Sequence, residues 1–76
     1  MPHNYVLETT HGDREFKTDE HHENHPGGLR GWFDDNKHII KQIHDDLIQL
    51  IGPAVQLLAI YKGGPRGKGE KVTDLK

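Results

Sequence analysis

The chain has no cysteine and no serine, and only one tryptophan and one methionine among its 76 residues. Without cysteine there are no disulfides and no thiolate metal sites, which removes two of the usual ways to brace a small fold. Without serine or cysteine, nucleophile–histidine–acid arrangements survive only through threonine or lysine. The adjacent carboxylates Asp45 and Asp46 diverge by about 100° on a helix and make a poor acid/base pair. The expectation is therefore that this is not an enzyme, and no cofactor is called for.

Long apolar runs are missing too. The longest uncharged stretch, Leu47 to Tyr61, has 15 residues and includes Gln49 and Gln56. As a helix it would reach about 22 Å, short of a hydrocarbon core of about 30 Å, so no membrane span is expected. Met1 to Thr10 has neither the basic start nor the apolar segment of a secretory leader. Together with the absence of cysteine, this gives an expectation of a cytoplasmic protein. Apolar residues make up only 32% of the chain. A core this small seldom supplies more than about 3–5 kcal/mol, so a chain of this length needs further support such as oligomerisation.

The apolar residues that are present fall in an order. Asn36, Ile40, Ile43, Leu47, Leu50, Ala54, Leu57 and Tyr61 recur at alternating four- and three-residue steps, a heptad seam. Ile39, Ile51 and Leu58 widen it. With little else to cover such a face, the expected cover is a second copy of the chain or another protein. The residues expected at that interface are Ile40, Ile43, Leu47, Leu50, Ile51, Ala54, Leu57, Leu58 and Tyr61.

The formal charge of −2 is unevenly spread. Residues 1–34 carry seven acids against three bases, and residues 62–76 five bases against two acids. Residues 1–18 read as a β-hairpin arm: β-favouring Tyr5, Val6, Thr9 and Thr10, a turn at His11-Gly12-Asp13, and a return that brings Phe16 near Leu7. Residues 19–33 read as a His/Gly-rich connector broken by Pro26-Gly27-Gly28. Asp34 or Asp35 suits an N-cap, so 34–62 reads as an amphipathic helix. Gly52-Pro53 either kinks that helix or turns it back on itself. The unbroken heptad favours the kink. Residues 63–76 read as a flexible basic tail. The fold class expected is mainly α with a small β-hairpin, within α+β.

Two constellations merit attention besides the seam. His21, His22 and His25, with Asp19, Glu20 and Glu23 nearby, are candidate ligands for zinc, nickel or copper, although their spacing matches no established zinc motif. Arg30 and Trp32, with Arg66 and Lys68 from the glycine-rich tail, are candidates for an anionic small molecule such as a nucleotide. Glycines free the backbone amides, and an indole can stack on a base. His25-Pro26 followed by Arg30-Gly31-Trp32 and a helix resembles short phage proteins that sequester cyclic nucleotide signals. No residue roles are carried over from that resemblance. The leading expectation is a small homo-oligomeric interaction protein acting through its helix seam as an inhibitor, adaptor or assembly component, with a phage or mobile element as a candidate source. Sequestration of a nucleotide between protomers and metal binding by histidine are the alternatives.

Overall fold

A computed structural model describes residues 2–76 and corrects the expectation of a mainly helical chain. Strand accounts for 40% of the chain and helix for 35%. The elements are β1 (His3–Thr9), β2 (Gly12–Thr18), a single 3-10 turn (His22–Asn24), α1 (Gly28–Leu50), β3 (Leu57–Gly64) and β4 (Gly67–Asp74). The strands form one antiparallel sheet in the order β2-β1-β3-β4. The class is α+β, built on a sheet rather than a long helix.

The N-terminal hairpin is present, with Tyr5 opposite Phe16 and Leu7 opposite Arg14. What the sequence reading places wrongly is the second half. The helix kinked at Pro53 does not form. Its last backbone bond runs from the Ile51 N–H to the Leu47 carbonyl, and Gly52 then takes a φ of +138°, which an L side chain rarely adopts. Pro53, lacking an N–H, could not have extended the ladder.

Leu57-Leu58-Ala59-Ile60-Tyr61 is apolar in every position, so a helix would turn some of these side chains to water. As an interior strand of the sheet, β3 instead buries Ala59 and Ile60 and leaves Leu57, Leu58 and Tyr61 half-buried. Ile60 lies fully buried in the core cluster beneath the helix, and its neighbour Ala59 is also buried. The heptad spacing of Ala54, Leu57 and Tyr61 is a coincidence of register.

The tail at 63–76 is not a loose segment but β4. Gly64-Pro65-Arg66-Gly67 closes a two-residue turn whose glycine has a φ of +103°. Thr9-Thr10-His11-Gly12 closes the first hairpin in the same way, again with +103° at glycine. Val72 and Leu75 then pack against the core, and the Leu75 N–H donates to the Leu58 carbonyl at 2.9 Å.

The core forms where α1 covers one side of the sheet. Tyr5, Leu7, Phe16, Trp32, Ile40 and Ile60 cluster there, flanked by Phe33, Ile39, Ile43 and Leu57. The seam predicted to await a partner is thus covered along its middle by the chain's own strands. The accessible surface is 5115 Å². A compact monomer of 8.7 kDa is expected to expose about 4,700 Å², so one copy is nearly self-contained.

Candidate functional site

The histidine-rich connector packs around the first turns of α1. The expected caps, Asp34 and Asp35, lie inside the helix, which begins at Gly28. Gly27 has no side chain with which to cap it, and His25 takes over that work. Its Nδ1 accepts from the Gly27 N–H at 2.9 Å, and its carbonyl accepts from the Gly28 N–H at 3.0 Å. Its Nε2 lies 2.6 Å from an Asp35 carboxylate oxygen. The imidazole rests flat against the helix only because residue 31 is glycine. A Cβ there would come within 2.8 Å of His25 Cε1. His25, expected among the metal ligands, is therefore a fastening of the helix.

His21 and His22 turn the other way, towards Glu23. The three offer ligand atoms within 4.8 Å of one another. The two rings sit 4.5 Å apart, and His3 stands edge-on to His21 at 5.3 Å. The corner is anchored through Tyr5, which is fully buried. The Tyr5 hydroxyl accepts from the His22 backbone N–H and shares a hydrogen bond with His22 Nδ1, each at 3.0 Å. Burial pushes the Tyr5 phenol above its ordinary range. Burial, and then His21 alongside, holds His22 below its ordinary value of 6.5, favouring the neutral ring.

Lys62 reaches across from β3 to Glu23 at 2.8 Å. That hydrogen bond lowers the Glu23 carboxyl and raises the Lys62 ammonium. The sequence held no signal for the roles of Tyr5 and Lys62, which lie far from the histidines along the chain and meet them only through the sheet.

The four residues expected to hold an anion do not converge. Trp32 is fully buried and donates its indole N–H to the Glu20 carbonyl at 3.0 Å. Tyr5 and His22 pack against the ring, and its complete burial leaves no face for a base. Arg30 lines an apolar hollow of about 500 Å³ with Leu29, Phe33, Thr73, Asp74 and Leu75. Arg66 occupies the turn at the opposite end of β4, roughly 25 Å of extended strand away. Lys68 bonds to Glu8 at 2.6 Å, lies 3.7 Å from Asp13 and sits over the Tyr61 ring at 5.1 Å.

The residues expected at an oligomer interface divide into two sets. Ile40 and Leu47 are buried by the chain itself, and Ile43, Leu57, Leu58 and Tyr61 are half-buried. Leu50, Ile51 and Ala54 are exposed, with Leu50 at 81% and Ile51 at 46%. The 23 residues of α1 span about 34 Å, whereas an eight-residue strand spans about 26 Å. The helix outruns the sheet, and its last apolar side chains stand clear of it. No helix among the described residues is long and apolar enough to cross a membrane. Comparison of the chain with family models, curated proteins and solved structures finds no match.

Proposed function

We propose that the protein is a non-enzymatic interaction protein that associates with a second copy of itself through the uncovered end of its helix. The observation that supports this most strongly is the exposure of Leu50, the least covered large apolar side chain described. It does not stand alone. Ile51, Pro53 and Ala54 are exposed beside it, and no charged residue occurs between Leu47 and Tyr61. Exposed Asp46 stands one helical turn before Leu50 and borders the patch; depletion of charge within such a patch distinguishes interface cores from ordinary surface. A two-fold arrangement places the same patch on itself and buries it in both copies at once.

Because each copy already covers the middle of its seam, association joins folded monomers and belongs to the weak, transient class rather than the obligate one. Such a patch suits an inhibitor or assembly component. Sedimentation velocity at micromolar concentration tests the reading. The wild-type chain should show concentration-dependent dimer formation, and Leu50→Glu should remain monomeric with an unchanged circular dichroism spectrum. A folded 8.7 kDa monomer throughout that range would remove it.

A further inference from the structure

We propose that His21, His22 and Glu23 form a binding site for one divalent transition cation, Zn²⁺ being the reference case. The inference is independent of the association proposed above. Two imidazoles and one carboxylate form a donor set suited to zinc, copper or nickel, and unsuited to Mg²⁺ or Ca²⁺, which take oxygen.

The ligand atoms now lie within 4.8 Å of one another. Around a tetrahedral zinc, atoms bound at about 2.1 Å stand roughly 3.4 Å apart. Closing that difference requires the Glu23 side chain, which is 59% exposed, to swing away from Lys62.

The protonation states can also be followed. Zinc takes Nε2 of His22, so the ring proton moves to Nδ1 and donates to the Tyr5 hydroxyl. That oxygen has two lone pairs, one already engaged by the His22 N–H, and it can accept both, while its own O–H must turn from Nδ1 to another acceptor. A ligating histidine whose other nitrogen is fixed by a buried partner is the arrangement that orients metal-bound imidazoles. His21 gives up only a 3.2 Å contact from the Glu23 N–H, at the long end of hydrogen bonding. The fourth position is left to water. One group opposes binding. The Lys62 ammonium holds the same carboxylate at 2.8 Å and competes with the cation for it.

That competition gives the proposal a signed test. Titration calorimetry with Zn²⁺ at neutral pH should show one equivalent bound. His22→Gln and Glu23→Gln should each weaken binding about tenfold or more, while His38→Gln, on the exposed side of α1, should leave it unchanged. Lys62→Met should tighten binding roughly three- to tenfold, because it removes a positive charge a few ångströms from the metal. Ni²⁺ should quench the fluorescence of the sole tryptophan, whose ring lies 5.8 Å from that of His22. If His22→Gln disturbs folding, Lys62→Met decides alone. No heat with Zn²⁺ at millimolar concentration, binding that survives both Gln variants, or Lys62→Met binding no tighter than wild type would overturn the assignment.

Discussion

The two ends of α1 are finished in different ways. At the N-terminal end several polar groups are engaged with the chain itself. His25 caps Gly27 and meets Asp35, the Trp32 indole reaches the Glu20 carbonyl, and Tyr5 grips His22. At the C-terminal end His44 Nε2 lies 3.1 Å from the Val55 carbonyl, but among the described residues no side chain fastens the last turn, and Leu50 and Ile51 face solvent. One end is tied down by polar contacts that only this chain can make. The other presents apolar surface that a second molecule could cover. A single amphipathic pattern runs through both ends, so hydrophobic periodicity alone does not distinguish a buried face from a docking face. The length of the opposing sheet does.

The contrast is most easily broken at the C-terminal end, between two leucines three residues apart. Leu47 is 2% exposed and Leu50 is 81% exposed. Leu47→Ala should cost about 2–5 kcal/mol in urea unfolding, as expected for a truncated core side chain. Leu50→Ala should fall within about 0.5 kcal/mol of wild type. Equal losses at the two positions would mean that the helix end is covered after all.

The N-terminal end can be sharpened with a double-mutant cycle. Gly31→Ala drives a methyl group into the His25 ring, and overpacking of this kind costs about 1–3 kcal/mol. In a His25→Ala background most of that loss should disappear, giving a clear coupling between the two sites. Additive losses would contradict the account of residue 31.

Acid should separate the ends by a smaller margin. The His22 ring is held below its ordinary value of 6.5 by burial and by His21, so the fold favours its neutral form. That contribution is fully present above about pH 6.5 and is lost as the pH falls below it, through the depressed value. The melting temperature should therefore drop between about pH 7 and about pH 5, and His22→Gln should flatten the profile. A wild-type melting temperature that rises over this window would contradict the sign.

These elements were not equally legible in the sequence. The first hairpin could be read because Thr9 to Asp13 carries a turn signal between short β-favouring runs. The span from Gly28 to Ile51 could be read in part. Its seam was visible, but Gly28 and Gly31 concealed its first turns: Gly28 opens the helix with a φ of +71°, and Gly31 makes room for the His25 ring, so neither breaks the helix. β3 was misread because the positions 54, 57 and 61 continue a heptad, although the unbroken apolar run at 57–61 and the Gly52-Pro53 pair both argued for a separate buried strand. The Pro65-Arg66-Gly67 turn repeats the glycine geometry of the first hairpin and was the overlooked signal for β4. The histidine corner was half legible. His21, His22 and the nearby Glu23 were candidates on composition, but their orientation depends on Tyr5, Trp32 and Lys62, which the sheet and helix bring together from distant parts of the chain.

The central claim is that the middle of the helix seam belongs to its own chain and its C-terminal end to a second copy. Isotope-filtered nuclear Overhauser spectroscopy on a mixture of labelled and unlabelled protein tests it directly. Contacts from Ile40 to Leu7 and Ile60 should arise within one chain, and contacts between chains should be found at Leu50 and Ile51. Interchain contacts at Ile40, or none at Leu50 and Ile51 in a sample that sediments as a dimer, would contradict the account.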